Sequence, residues 1–388
     1  MSSAATPLRV LHLASFAGNI GDLANHAGAR DLFARTLDFE FSFVELEIRE
    51  FYWRRRSFDD DFVRYANGFD LLLIGGGNYF ELWVQDSPTG TSIAIDTKRL
   101  AALQIPVIFY SLGVDIGQGY TDQTAGRFRA FMGTVLASDT MYTCVRNDGS
   151  SLAMEEVLGA DVSRRVRTMP DGGFFATGTG KRVEPHPSRP SSRLVGINLA
   201  GDMLERRFGG AVSAHDFLAG FAGACTQLLE ARDDLNLEFV PHIWRDVTVI
   251  AELLAMIPDR FLRSRIGVAP LRPVASGLPE FLGRYGTCDL VLGMRFHANV
   301  CPIGMSVPTL GLLCYPQVAH LYRELGLQDR LVDVRIDDFS AILVDRVLVD
   351  LDSLGNIRDR YHTAMSRVHH QAEATLVDLN SWLHGHFD

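Results

Sequence analysis

The sequence predicts an α/β protein made of two domains, each with a parallel sheet. Short apolar runs alternate with stretches of helical periodicity along the whole chain, as buried parallel strands and their crossover helices do. The 388 residues exceed what one hydrophobic core usually holds. A Pro- and Ser-rich stretch, Val183 to Arg193 (VEPHPSRPSSR), reads as an extended linker between two such runs. The expected division is therefore residues 1–183, a linker at 184–193, and 194–388 with closing C-terminal helices.

In the first half, Leu8 to Ser15 is the opening strand. Phe16-Ala17-Gly18-Asn19-Ile20-Gly21-Asp22 follows, and helical periodicity then runs from Leu23 to Leu37. Strand, glycine-containing turn and helix is a layout in which free backbone N–H groups face an anion. The turn matches neither GxGxxG nor a P-loop. Asn19 and Asp22 are candidates to contact a ligand; the alternative has Asn19 left-handed and Asp22 capping the helix. Phe41 to Ile48 alternates as a strand would. Phe51 to Arg56 (FYWRRR) mixes aromatics and cations, which suits an anionic or sugar ligand or, more simply, a solvated helix face. Asp70 to Ile74 is a buried strand ending in Gly75-Gly76-Gly77-Asn78, where either a ligand or tightly packed backbone comes close. Val107 to Leu112 ends in Gly113-Val114-Asp115, Met141 to Val145 in Arg146-Asn147, and Met169 leads into Pro170-Asp171-Gly172-Gly173.

In the second half, Leu194 to Leu199 ends in Ala200-Gly201-Asp202, and Leu237 to Pro241 ends in His242-Ile243-Trp244-Arg245-Asp246. The stretch Asp289 to Tyr315, DLVLGMRFHANVCPIGMSVPTLGLLCY, organises the rest. Leu290 to Leu292 is a buried strand, and Arg295, Phe296 and His297 stand where it gives way to a helix. Ligands of open α/β sheets bind outside the carboxyl ends of the strands. An arginine there can grip a phosphate or carboxylate with two hydrogen bonds, and a histidine can move a proton near neutral pH. The alternative is an Arg295 paired with a nearby acid and a His297 that caps the helix. If strand geometry persists through Phe296, Arg295 and His297 share one face while Phe296 points to the core.

A net charge of -10 argues against a nucleic-acid footprint, although a local basic pocket remains open. No apolar run is long enough to span a bilayer. The N-terminus has too thin a basic region for a signal peptide. Cys144, Cys225, Cys288, Cys301 and Cys314 are scattered without a CxxC pair, so neither a zinc site nor a disulfide framework is indicated, and a cytoplasmic location is expected. Asp59-Asp60-Asp61 and Asp350-Leu351-Asp352 match DxD, but neither follows a buried strand, and both read as solvated polar stretches rather than metal ligands.

Six motifs in order, GNIGDLAN, DLLLIGGGNYF, VIFYSLGVDIG, CVRNDGS, MPDGGFF and the Arg-x-His stretch, resemble those of the polysaccharide pyruvyl transferases from Gly18 to about Leu327. The resemblance implies a GT-B-like fold, two Rossmann-like domains with parallel sheets facing across a cleft. It also implies transfer of the carboxyvinyl group of phosphoenolpyruvate to a sugar of a cell-surface or secreted glycan, giving a pyruvate ketal. No cofactor or metal is implied; the partners are phosphoenolpyruvate and a glycan or glycolipid acceptor, with no nucleic acid and no transmembrane segment, while peripheral contact with a membrane stays open. On this reading His297 is the acid/base and Arg295 assists it. Arg295, Arg245 and Arg146 are the donor-binding candidates, each at a strand end, and the second domain is the donor side. Asn19, Asp22, Gly76, Gly77, Asn78 and Asp171 form the acceptor side in the first.

Two departures bear on the donor site. Many members end the first strand of the second domain with an arginine, where this chain has Val195 to Ala200; Arg206, Arg207 or Arg245 are candidate substitutes. A common lysine after the last strand is replaced by Tyr315-Pro316-Gln317. A sugar-nucleotide glycosyltransferase and a non-catalytic family member are the alternatives.

Overall fold

A computed structural model describes residues 6–176, 192–204, 208, 210 and 212–388. Most of the expected linker at 184–193, and both Arg206 and Arg207, lie outside the described residues. The chain packs as two compact units. One comprises the described residues up to Phe16, Ala29–Gly172 and Val368–Asp388; the other comprises Ala17–Gly28 and Gly173–Arg367. Residues 17–28 thus group with the second unit and 368–388 with the first, an exchange that a single break near residue 190 does not describe.

The first unit is built on six parallel strands: β1 (Leu8–Ala14), β2 (Phe41–Glu47), β3 (Leu71–Glu81), β4 (Val107–Asp115), β5 (Met141–Arg146) and β6 (Arg167–Met169). Their order is β2-β1-β3-β4-β5-β6. The chain steps outward to β2 and then returns past β1, so the switch in direction lies between β1 and β3. Every residue of β4 is buried, which is why it reads as an unbroken apolar run. The helix Asp122–Leu136 lays Phe128 and Phe131 on this sheet, edge-on to Phe80 and Phe109. Thr121 and Thr124 close its first turn in a reciprocal cap.

β3 departs from the sequence reading. The glycines do not end the strand; it runs on through Gly75, Gly76, Gly77 and Asn78 to Glu81, with a register shift against β4 between Gly77 and Phe80. Gly75 has φ 138°, and a Cβ there would lie 2.1 Å from the carbonyl oxygen of Tyr110. A Cβ on Gly77 would meet the ring of Tyr79 at 2.4 Å. At both positions the room that glycine leaves is filled by the protein itself.

The second unit carries β7 (Arg193–Asn198), β8 (Leu235–Phe239), β9 (Ile266–Val268), β10 (Leu290–Gly293), β11 (Thr309–Leu313) and β12 (Leu331–Asp333), all parallel, in the order β12-β11-β10-β7-β8-β9. Read from β9, its strands follow the doubly wound order in which the first and fourth are neighbours. The crevice for a ligand in such a sheet opens at the carboxyl ends of that pair, here β7 and β10. Helices Ala214–Ala231 and Phe339–Asp352 cover one face through Phe217, Phe221, Phe339 and Leu343.

Of the two DxD stretches, one behaves as a polar surface. Asp59 caps the helix Asp60–Ala66, Asp60 pairs with Arg99, and Asp61 pairs with Arg64. The other does not: Asp350 is buried and accepts from Arg330 at 2.7 Å, because Phe339–Asp352 packs that face inward. Among the described residues no cluster of His, Cys, Asp and Glu is placed to hold a metal, and no helix is long and apolar enough to cross a membrane.

Candidate active site

The site residues collect where β7 and β10 end. β10 stops at Gly293, and the chain then turns instead of continuing as a strand. Phe296 is helical (φ -53°, ψ -54°) and precedes the helix His297–Gly304. The turn is fixed by two asparagines. Asn198, the last residue of β7, accepts from the Arg295 N–H at 3.0 Å and donates to the Val240 carbonyl at 2.9 Å. Asn299 donates to the carbonyls of Gly293 (3.0 Å) and Arg295 (2.8 Å), and Tyr322 donates to its Oδ1 at 2.8 Å. The expected alternation of Arg295 and His297 along a strand is therefore wrong. A hydrogen-bonded turn places them.

Arg295 is answered by two acids. Its Nε donates to Asp246 Oδ2 at 2.8 Å and its Nη2 to Asp246 Oδ1 at 2.5 Å, and Nη2 also donates to Asp202. Asp246 is wholly buried, and its carboxylate also accepts the N–H groups of Gly201 (2.8 Å), His242 (2.9 Å) and Ile243 (3.2 Å). Burial works against the charge of Arg295, but Asp246 and Asp202 outweigh it and hold its pKa above the ordinary value. The pairing with a nearby acid, left open in the sequence, is what the structure contains. Nη1 alone makes no hydrogen bond to any described residue.

His297 is 7% exposed and lies beside the start of the helix Ile20–Thr36. Its Nδ1 is 3.7 Å from Asp22 Oδ1. Gly21 makes this approach feasible, since a Cβ there would come within 2.7 Å of the His297 Cβ. Asn19 is not left-handed; Gly18 takes that conformation (φ 80°), while Asn19 Oδ1 accepts from Gly21 N–H at 3.0 Å. The helix cap is thus Asn19, which leaves the Asp22 carboxylate directed at His297. Asn19 and Asp22, expected on the acceptor side of the first domain, belong to the same unit as the histidine.

His242, behind the pair, is held at 2.7 Å from the hydroxyl of Tyr285. Burial, with the nearby charges of Arg295 and His297, drives its pKa well below the ordinary range, so it stays neutral. Arg245 and Trp244 begin the helix Trp244–Leu254 at the end of β8; both are exposed, Trp244 at 65%, and Arg245 has no ion pair among the described residues.

The remaining predicted residues lie in the first unit. Arg146 is buried, donating to Asp148 through Nε (2.8 Å) and Nη2 (2.6 Å), with Asp171 3.5 Å from Nη1. It belongs to a closed ion cluster within the first unit. Asp171 is fully buried in that cluster, its N–H donating to Asn147 Oδ1 at 3.1 Å. Asn78 donates to Asp115 Oδ2 at 2.9 Å, while its own Oδ1 is buried without a partner among the described residues, in a space that Gly113 leaves open. Next to this pair stands Glu81, which sequence reasoning missed. Burial pushes its carboxyl up to about 7, aided by the charge of Asp115 and opposed by a 2.5 Å hydrogen bond from Ser92. Asp246, Asp202 and His242 were missed as well; each stands in a strand-end turn, the one signal that could have marked it.

In architecture the chain is GT-B-like: two α/β units with parallel sheets, similar along most of its length to sugar-nucleotide epimerases. A Listeria monocytogenes protein provisionally assigned as a UDP-N-acetylglucosamine 2-epimerase matches at 14% identity and a TM-score of 0.56, over 92% of this chain and 91% of that one. The S. aureus protein MnaA, solved with UDP, matches at 10% identity and 0.52, over 94% and 91%. The UDP-GlcNAc 2-epimerase of Methanocaldococcus jannaschii matches at 10% and 0.52, over 87% and 92%. At such identities the likeness is one of fold. No curated protein matches the sequence. The chain belongs to the polysaccharide pyruvyl transferase family, whose model covers residues 19–314.

Proposed function

We propose that the protein transfers the carboxyvinyl group of phosphoenolpyruvate to a sugar hydroxyl of a glycan and closes it to a pyruvate ketal. The observation that carries this reading is His297 held beside Arg295 at the β7/β10 switch, with the Nη1 edge of the guanidinium left after Asp246 and Asp202 take the others. Asp246 fixes the plane of Arg295, so its remaining N–H groups are aimed before a donor arrives. An anion gripped there meets a charge that is always present. Arg245, exposed and without an ion pair among the described residues, supplies a second cation from the end of β8, standing in for the arginine that the family usually has at the end of the neighbouring β7.

His297 then delivers a proton to the methylene carbon of the donor, and C2 becomes oxocarbenium-like. A sugar hydroxyl attacks C2 and gives its proton to the His297 imidazole, which has just released one. A second hydroxyl of the same sugar displaces phosphate and closes the ketal, its proton returning to a base. Asp22 Oδ1, 3.7 Å from Nδ1, stands beside the ring at the start of the helix Ile20–Thr36. In the first unit the acceptor role narrows to Asn78, whose Oδ1 lacks a partner, and Glu81, whose raised pKa suits exchange of a hydroxyl proton. Gly76, Gly77 and Asp171 are kept for the frame around them.

Thermal denaturation with phosphoenolpyruvate or UDP tests the reading. Phosphoenolpyruvate should raise Tm in a concentration-dependent way and UDP should not. Stabilisation by UDP alone would favour the sugar-nucleotide glycosyltransferase instead.

A further inference from the structure

The turn that follows β2 has no part in the site described above. Here the helix Arg49–Tyr52 ends and Trp53-Arg54-Arg55-Arg56 continues as tight turns, with Trp53 N–H on the Arg49 carbonyl (2.8 Å) and Arg55 and Arg56 N–H on the Glu50 carbonyl (2.8 and 3.0 Å). The turn is anchored from beneath. Phe51 stacks on Phe58 at 4.2 Å and meets Phe62 edge-on at 5.5 Å. With Phe51 turned inward, the next five residues face solvent. Tyr52 is 81% exposed and Trp53 50%. Arg54, Arg55 and Arg56 are exposed as well, and Arg54 adopts φ 57°, a conformation that arginine rarely takes. Arg55 stands 5.3 Å over the Trp53 ring and 3.4 Å from Glu50. Arg54 and Arg56 have no ion pair among the described residues. The neighbouring acids are engaged elsewhere: Asp59 in a helix cap, Asp60 with Arg99, Asp61 with Arg64.

We propose that Tyr52, Trp53, Arg54 and Arg56 form a docking surface for a membrane carrying anionic lipids. Two chemistries meet in this turn. Tyrosine and tryptophan favour the headgroup level of a bilayer, where the ring is buried and its polar edge stays wet. Unpaired arginines are drawn to an anionic leaflet. The chain as a whole carries -10, so the attraction is local to this turn and disfavours a polyanion such as nucleic acid, which would meet the remaining negative surface. Contact here is peripheral: a few side chains reach the interface and no segment enters the hydrocarbon.

Flotation with phosphatidylcholine vesicles, with and without phosphatidylglycerol, tests the proposal on the full chain. Binding should require phosphatidylglycerol and weaken with salt. Arg54→Glu with Arg56→Glu should lower partition at least roughly thirtyfold, as expected for two arginines near an anionic surface. Tyr52→Ser with Trp53→Ser should lower it too, with phosphate release on a soluble acceptor unchanged in both double variants. No binding to phosphatidylglycerol vesicles overturns the proposal, and so does binding that survives the charge reversal. Binding that depends on the arginines but not on Tyr52 and Trp53 also overturns it, since a soluble polyanion or an acidic protein would do the same.

Discussion

Two strand ends in this molecule carry nearly the same ion cluster, one in each unit. After β5, Arg146 is held by Asp148 and Asp171; after β10, Arg295 is held by Asp246 and Asp202. The first is closed. Arg146, Asp148 and Asp171 are each buried at 4% exposure or less, and Ser150 and Asn147 occupy the turns around them. The second is open at one corner: the Asp202 side chain is 25% exposed, and Nη1 of Arg295 makes no hydrogen bond among the described residues. Position in the sheet accounts for the difference. β5 lies inside a run of sequential strands, whereas β10 flanks the point where strand order reverses, and the diverging connections there leave a crevice. An arginine paired with two aspartates is therefore not itself a functional mark. On the proposed reading, its place relative to the switch is what separates a frame from a site.

The largest expected effect falls on the histidine that only the second cluster possesses. His297→Asn should lower kcat by about a hundred- to ten-thousand-fold with donor KM nearly unchanged, measured by phosphate release. A folded variant with normal turnover would place His297 among the structural residues. Arg146→Met should instead act on stability. It strands two buried carboxylates and should cost about 3–5 kcal/mol in a denaturant titration. If Arg146→Met were as stable as the native chain and merely inactive, the contrast between the two clusters would fail.

Arg295→Lys retains the charge but loses the fork held by Asp246. Donor KM should rise roughly tenfold, with a smaller effect on kcat. The two units should also differ in pH response. Glu81, raised from 4.5 to about 7, keeps its proton in the fold after the unfolded chain has lost it, so its contribution is whole below pH 4.5 and disappears as pH rises through 7. Glu81→Gln should abolish that decline, a gain of ~1 kcal/mol at pH 8 once partial solvent screening is allowed for. His242 acts in the opposite sense. Its depressed pKa gives stability that is present above 6.5 and lost as pH falls further. Equal melting curves for native and Glu81→Gln chains between pH 5 and 8 would remove Glu81 from the acceptor site.

The strands and the Arg-x-His pair were legible because buried parallel strands are continuous apolar runs and their ends are marked by polar turns. Arg295 could be singled out from the run Leu290 to Leu292, but its partners could not. Asp246 and Asp202 stand 49 and 93 residues away, and only the parallel pairing of β7 with β8 and β10 brings them in. The geometry of the pair was misjudged because side chains of Asn198 and Asn299 break the strand, and side-chain bonds to backbone leave no periodic trace. Gly75 to Gly77 show the same limit. Glycine reports that something comes close; here that something is Tyr110 and Tyr79, and the sequence does not say which.

The last helix, Leu354–Phe387, has a consequence for how the chain is made. Its final turns, from Val368 on, belong to the first unit, where Leu376, Leu379 and Leu383 are buried, Trp382 donates to the Asp139 carbonyl at 2.9 Å, and Thr375 donates to that of Thr168 at 3.0 Å. A ribosome delivers the six strands of this unit first and its closing helix only after the strands of the second unit. Nascent chains therefore carry an unfinished first core, with the groove lined by Val10, Phe33, Phe41 and Leu73 uncovered, until Leu379 and Leu383 have been made. Residues 17–28 meanwhile wait for the second unit that claims them. Vectorial synthesis cannot complete the two units one after the other, and a stop ahead of Val368 damages the unit whose strands were translated first.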